Sequence, residues 1–478
     1  MIEKRAAGVL APIFALPSGY SSGNFGPCAY TFVDLLKESG FSYWQVLPFT
    51  VTDTFHSPYA SPSAFSLNPF FLDLEDLCGR GLLTEEELCS ARERVSFACE
   101  YERLEQERIA LLKRAALRFT DDAALGTFLA LHPYTEEYCR FEALRAANGG
   151  VPWQAFRVDT PDAEVYRTYA FISYIFWEQW ARLHAYANER GISVIGDIPI
   201  YVSLNSADVC FHPSLFKLTE YGDPTGVAGV PPDYFSEDGQ LWGNPLYDWE
   251  TMKEDGYLFW RARIRHMLSL FDGVRLDHFR GFDTYFDIPF GAPNAKSGVW
   301  REGPRAPFID MLKEEAGDAL LIAEDLGELF PSVEELLRYS GFPGMRVFAF
   351  AFDGEDSQHI PYRYPHNTVA YSGTHDNNTL LGFLYELPEE KRREYYRYCR
   401  YGGNELCEGC HAAIETLYAS HAGLVILPVQ DLLCYGSDTR FNTPGRADGN
   451  WRYRVTEEDI RAVDRKYFYT LAKRYGRI

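Results

Sequence analysis

Three acidic residues close short apolar runs. Asp277 ends Gly-Val-Arg-Leu-Asp, Glu324 ends Leu-Ile-Ala-Glu, and Asp376 follows Tyr-Ser-Gly-Thr-His. Residues two apart in a strand share a face, so Arg275 and Asp277 should project together. Like charges gathered in one cavity repel, and desolvation adds to the cost. At least one carboxyl should therefore hold its proton near neutral pH. That split suits acid/base work on an acetal. One carboxylate attacks the anomeric carbon while a second acid, roughly 5 to 5.5 Å away, protonates the leaving oxygen and later activates the acceptor. A third acid can bind sugar hydroxyls. Two other readings stay open from these residues alone. The acids could be structural ion pairs at strand ends, Arg275 with Asp277, with Asp376 as a helix N-cap. They could also hold a divalent metal, although no ligand loop is recognisable.

The elements that must position these acids follow from the hydrophobic pattern. Short runs rich in Val, Ile and Phe recur at 9–16, 43–49, 193–202, 273–279, 321–326, 345–350, 368–374 and 423–429. Stretches of helical period separate them, which predicts repeated β–α units closing into a (β/α)₈ TIM barrel. The acids then reach one rim from three strand ends, where barrel enzymes keep their active sites. The whole chain, 1–478, reads as one catalytic unit. A helical insertion subdomain is expected over 72–165, between strands 2 and 3, where Glu, Arg, Leu and Ala dominate. A loop insertion over the active site is expected at 203–250, dense in Pro, Gly, Asp and aromatic residues. A last barrel helix is expected at 459–475, with no C-terminal β domain after it.

Charge and composition narrow the partners. The net charge of −22 disfavours nucleic acid and anionic membrane surfaces. Aromatic residues reach 16%, with 32 Tyr and 9 Trp, which suits stacking on sugar faces. The opening segment lacks a signal peptide's apolar core, and no long apolar run follows, so a cytoplasmic protein is expected. The ten cysteines show no framework spacing, which predicts reduced thiols. Cys399, Cys407, Cys410 and His411 form a weak metal pattern, because one CxxC lacks the second ligand pair that a structural zinc requires. No metal site is assigned.

Seven segments in order carry a resemblance to the 4-α-glucanotransferases, the amylomaltase or disproportionating-enzyme family (glycoside hydrolase family 77) related to α-amylases. They are Ser-Pro-Tyr-Ala-Ser-Pro-Ser-Ala-Phe-Ser-Leu-Asn-Pro at 57–69, Gly-Asp-Ile-Pro-Ile-Tyr-Val at 196–202 and Gly-Gln-Leu-Trp-Gly-Asn-Pro at 239–245. Gly-Val-Arg-Leu-Asp-His-Phe-Arg-Gly at 273–281, Ile-Ala-Glu-Asp-Leu-Gly at 322–327, Gly-Thr-His-Asp-Asn at 373–377 and Asn-Thr-Pro-Gly at 442–445 complete the set. The segment after Tyr201 departs from the usual pattern at Ser203 and Leu204, which bears on loop detail.

The resemblance implies that Asp277 is the nucleophile of a covalent glucosyl-enzyme, Glu324 the general acid/base and Asp376 the stabiliser of the distorted sugar. It implies that Arg275 orients the nucleophile and that His375 donates to sugar hydroxyls. Tyr59, with Ser57 in the same segment, would form a platform beside the donor sugar. Gln240 and Trp242 would border the acceptor side, and Asp197, Asp353 and Asn442 would lie near the cleft. The implied reaction cuts an α-1,4 bond and passes the donor to the 4-hydroxyl of another glucan or glucose. Donors and acceptors would be maltooligosaccharides and linear α-1,4-glucans, with no cofactor. An α-glucan hydrolase or branching enzyme could use the same acids, and a noncatalytic glucan-binding relic is the rival from outside enzymology.

Overall fold

The computed structural model describes residues 2–232, 237–327, 329–354, 357–446 and 448–478. Among them are twelve strands: β1 (Ala6–Leu10), β2 (Tyr43–Gln45), β3 (Ser193–Ile198), β4 (Gly226–Val230), β5 (Gln240–Pro245), β6 (Gly273–Leu276), β7 (Thr284–Pro289), β8 (Val299–Glu302), β9 (Leu320–Ala323), β10 (Gly344–Val347), β11 (Thr368–Tyr371) and β12 (Leu424–Pro428). Eight of them, β1, β2, β3, β6, β9, β10, β11 and β12, pair in parallel in that order and close into a barrel. This is a (β/α)₈ barrel. Strands wrapped by helices are covered on both faces, which is why Ala-Ala-Gly-Val-Leu in β1 and Leu-Val-Ile-Leu-Pro in β12 are buried at every position.

All eight apolar runs overlap a barrel strand, but seven of the eight strands end three to six residues before the runs do, and β12 ends one before. The cause is visible at β6 and β9, where the ladder stops at Leu276 and Ala323 and the next residues are the acids Asp277 and Glu324. Apolar composition continues past the ladder because the rim packs against overlying loops. The seam between β9 and β10 needs a side chain to complete it. Only Ala323 pairs with Gly344 there, and the Asp325 carboxylate accepts from the Met345 N–H at 2.6 Å and from Arg346 Nη1 at 2.8 Å. A Cβ at Gly344 would lie 2.7 Å from Asp325 Oδ2, so this approach requires glycine.

Between β2 and β3 the chain forms helices including Leu74–Gly79, Glu85–Ala91, Ile109–Arg118, Asp122–Leu131 and Pro133–Ala147. The 27-residue helix Ala163–Glu189 follows and returns to the barrel. Its first turn is capped by Asp162, which accepts from the Glu164 and Val165 N–H groups. Its inner face meets the barrel through rings, with Phe176 at 4.9 Å from Phe25 and Trp180 at 4.7 Å from Phe49. No helix among the described residues is long and apolar enough to cross a membrane.

The segment expected as a loop over 203–250 is more ordered than its composition suggests, and residues 233–236 within it lie outside the described set. It carries the short helix Ala207–Phe211 and strands β4 and β5, which join β7 and β8 in an antiparallel sheet of order β5-β4-β7-β8. Gly and Pro depress local strand propensity, so these strands exist only through pairing. At Gly229 a Cβ would sit 2.1 Å from the Gln240 carbonyl oxygen, which makes glycine the residue that permits the β4–β5 approach. The C-terminal helix is also divided, into Glu457–Ala462 and Arg465–Arg474, with Asp464 capping the second.

Gly196, one residue before Asp197, faces the Phe271 ring, whose Cδ2 would lie 2.2 Å from an added Cβ. Gly196→Ala should therefore overpack the β3–β6 wall, costing about 1–3 kcal/mol, read as a lowered melting temperature in a thermal scan.

Candidate active site

The barrel rim is organised around a buried cation. Arg275 in β6 donates through Nη1 to both oxygens of Asp197 in β3 at 2.8 Å, and through Nη2 to Asp277 Oδ1 at 2.8 Å. Asp197 is fully covered, while the Asp277 side chain keeps 27% exposure and so opens toward the cleft. Burial alone would lower the Arg275 guanidinium, but Asp197 and Asp277 outweigh it and hold it well above its ordinary value. The Tyr59 hydroxyl donates to Asp197 Oδ2 at 2.6 Å, which ties the 57–69 segment to the same cluster. Burial, with the Asp197 charge, raises the Tyr59 phenol well above its ordinary value, so it stays a donor.

Glu324 is fixed from two sides. Its Oε2 accepts from the His278 N–H and its Oε1 from the Leu326 N–H, both at 2.8 Å. His278 reaches that position because its backbone takes the left-handed region at φ 51°, turning the chain immediately after Asp277. Burial pushes the Glu324 carboxyl up to about 7; Arg275 pulls it down, the Asp277 charge adds to the rise, and the two N–H donors offset part of it.

Asp376 has the opposite environment. Its Oδ1 accepts from Asn442 Nδ2 at 2.6 Å and its Oδ2 lies 3.2 Å from His375 Nε2. Burial opposes its ionisation, but the field of His375 and the hydrogen bonds from His375 and Asn442 prevail, placing it well below the usual carboxylate range. Arg440 Nη2 also donates to the Asp376 carbonyl oxygen at 2.8 Å. The capping role open to Asp376 from the sequence falls to Thr379, whose side chain accepts from the Gly382 N–H at the start of Leu380–Glu386. The Tyr59 and His375 rings stack at 5.2 Å with 16° between planes, and Trp451 flanks both.

The comparisons with known proteins agree on one family. The family profile described as 4-alpha-glucanotransferase matches residues 11–459. The chain belongs to the 4-α-glucanotransferase family. A 4-alpha-glucanotransferase from Thermus thermophilus is 40% identical over 95% of this chain and 96% of its own length. One from Streptococcus pneumoniae serotype 4 is 38% identical over 100% of this chain and 98% of its own. The solved amylomaltase from Streptococcus agalactiae, in complex with acarbose, superposes with a TM-score of 0.95 at 34% identity, covering 99% of this chain and 100% of that one.

Of the residues singled out within the family motifs, Tyr59, Asp197, Arg275, Asp277, His375, Asp376 and Asn442 are joined by direct hydrogen bonds, an ion pair or ring stacking. Glu324 joins them through His278, which directly follows Asp277. Ser57 sits behind Tyr59, its Oγ accepting from the Tyr59 N–H at 3.3 Å. Gln240 and Trp242 lie on exposed β5, where Trp242 Nε1 donates to Gln240 Oε1 at 3.1 Å and the indole meets the His278 ring edge-on at 5.0 Å. Asp353 stands apart: it is exposed near Lys391, and among the described residues no hydrogen bond or ion pair ties it to the three acids. Sequence reasoning missed His278, Arg440 and Trp451. His278 lies inside a quoted motif, whereas Arg440 and Trp451 flank Asn-Thr-Pro-Gly without any pattern of their own.

The cysteine expectation needs correction. Cys407 is paired with Cys434 in a disulfide, while Cys410 is buried and Cys399 is not among the groups clustered there. A sequence separation of 27 residues hid this pairing, which only the fold creates.

Two outcomes follow for the site. Glu324 is raised, so it keeps its proton as pH climbs and loses it through about 7. A pH–rate profile of kcat/KM should fall on its alkaline side near that value, and Glu324→Gln should remove this limb along with about 10²–10⁴-fold of rate. Arg275→Met should strand Asp197 as a buried unpaired charge and cost about 3–5 kcal/mol in urea unfolding.

Proposed function

We propose that this chain is a retaining 4-α-glucanotransferase that disproportionates maltooligosaccharides and linear α-1,4-glucans in the cytoplasm. The observation that carries the reading is the contrast on one rim. Asp277 is hydrogen-bonded to a buried guanidinium, while burial raises the neighbouring Glu324 to about 7. That is a nucleophile beside an acid.

In the first half-reaction the Asp277 carboxylate attacks the anomeric carbon of the donor glucose. Glu324 gives its proton to the glycosidic oxygen, and the fragment carrying that oxygen leaves. The donor remains attached to Asp277 with inverted configuration. In the second half, the 4-hydroxyl of an acceptor gives its proton to Glu324, attacks the same carbon and displaces Asp277. Two inversions restore the α configuration. Asp376, kept ionised by His375 and Asn442, is suited to grip hydroxyls of the distorted ring, with His375 as a neighbouring donor.

Tyr59 supplies a ring face and a hydroxyl fixed on Asp197, which suits it as the donor-side platform. Gln240 and Trp242 border the acceptor side, where an exposed indole can stack on an incoming glucose and displace water. Ser57 acts through the Tyr59 backbone, and Asp353, exposed near Lys391, lies outside the hydrogen-bonded cluster. The helical insertion over 72–165 and the insertion over 203–250 serve as the walls of one catalytic unit spanning 1–478. The Streptococcus agalactiae relative was solved in complex with acarbose, which supports a saccharide ligand for this chain.

Incubation with maltotriose alone tests the reading. The expected outcome is glucose plus a ladder of longer maltooligosaccharides at constant reducing ends. Rising reducing ends would identify a hydrolase. Asp277→Asn should lower transfer by at least about 10⁴-fold, and full turnover in that variant would point to a different nucleophile.

A further inference from the structure

Away from the cleft, one cluster of reactive side chains has no part in glucan transfer. Cys407 lies in the first turn of the 14-residue helix Leu406–Ala419, and His411 follows one turn later on the same face. Cys434 comes from the loop after β12, at the end of the 3₁₀ turn Val429–Leu433, with its backbone in the left-handed region at φ 54°. The two sulfurs and a His411 ring nitrogen all lie within 4.8 Å of one another, and all three residues are only half-buried. The Cys407 and Cys434 Cα atoms are 5.8 Å apart, inside the span that a disulfide needs.

The loop bearing Cys434 also holds the stabilising acid. Upstream, Asp431 accepts from the Ser372 hydroxyl at 2.5 Å and from the Leu380 N–H at 2.9 Å, which brackets the 372–380 segment carrying His375 and Asp376. Downstream, Gln430 Nε2 donates to the Thr439 carbonyl, and Arg440 and Asn442 donate to Asp376. A bond at Cys434 therefore anchors to an outer helix the loop from which Asp376 is held.

We propose that Cys407 and Cys434 form a reversible dithiol–disulfide pair, with His411 as the base that prepares Cys407, and that closing it clamps the loop holding Asp376. A thiol in the first turn of a helix, beside an imidazole, is set up to react as thiolate. In the oxidising direction the Cys407 proton passes to His411, and the Cys407 thiolate attacks a low-molecular-weight disulfide of the glutathione class. One thiol leaves, taking a proton, and a mixed disulfide remains on Cys407. Cys434 then gives up its proton, attacks Cys407 Sγ and expels the second thiol. Two electrons pass from the protein dithiol to the external disulfide, and a small dithiol reverses the step.

The test uses the full chain, reduced with dithiothreitol and then equilibrated in mixtures of oxidised and reduced glutathione. Acid quenching, alkylation under denaturing conditions and peptide mass mapping follow. The expected result is loss of two of the ten alkylatable thiols in one step, with a cross-linked peptide joining Cys407 to Cys434 and recovery on reduction. His411→Ala should slow that oxidation about tenfold. The oxidised protein should melt a few degrees higher and lose transfer activity more slowly on heating, and Cys434→Ser should abolish both differences.

Several results would overturn the proposal: free Cys407 and Cys434 at every glutathione ratio, pairing of Cys407 with Cys410, or His411→Ala reacting at the parent rate. One equivalent of zinc bound to the reduced protein and blocking both thiols would replace the redox pair with a metal site. The clamp's consequence for catalysis rests on the reading of Asp376 above, whereas the thiol mapping does not, so the two can fail separately.

Discussion

The site depends on a buried guanidinium placed between two carboxylates from neighbouring barrel strands. Arg275 spans Asp197 on β3 and Asp277 at the end of β6, and these strands pair with Asp197 directly opposite Arg275. Removing the Arg275 and Asp197 charges from water costs several kcal/mol for each ion, and only near-ideal geometry offsets it. Here that geometry comes from the register: each donor meets an acceptor at 2.8 Å without any long side chain crossing the cavity. The cluster then serves as a foundation. Asp197 holds Tyr59, and Tyr59 stacks on His375, so a strand on one side of the barrel sets a ring on the other.

Glu324 and Asp376 illustrate how one cavity assigns different protonation states to the same functional group. Desolvation opposes ionisation of both. For Glu324 burial, reinforced by the field of Asp277, outweighs Arg275 and the backbone donors, and it rises to about 7. Asp376 has the His375 ring nitrogen and Asn442 on its two oxygens and falls. Local partners, not burial, separate the acid from the anion. Both are held in part by residues from other elements: His278 after β6 for Glu324, and Asn442 and Arg440 after β12 for Asp376. Alignment of the acids is thus a property of the barrel closing, not of any single loop.

The walls of the cleft follow the same economy. Asp208, at the short helix after β3, accepts from the Ser63 hydroxyl and the Ala64 N–H, and so fixes the segment that carries Tyr59. On the other wall, the β5-β4-β7-β8 sheet presents Gln240 and Trp242 on an exposed strand. One side is pinned by buried hydrogen bonds, and the other stays open to solvent.

The sequence by itself determined the barrel and its acids. Runs buried on both faces announce themselves as continuous apolar stretches, and an acid that ends such a run is conspicuous because burying it is expensive. Asp277, Glu324 and Asp376 were legible on that ground, and the ordered motifs around them identified the family. Tertiary structure decided what depends on residues distant in the chain. The partners of Asp376 lie 64 and 66 residues away, β4 became a strand by pairing with β5 on one side and β7 on the other, and Cys407 found Cys434 instead of its near neighbour Cys410. The ends of the barrel strands were also settled there, because hydrophobicity runs on into the rim whereas the hydrogen-bond ladder stops. Periodicity reports which face of a segment is buried; only packing reports which distant group it meets.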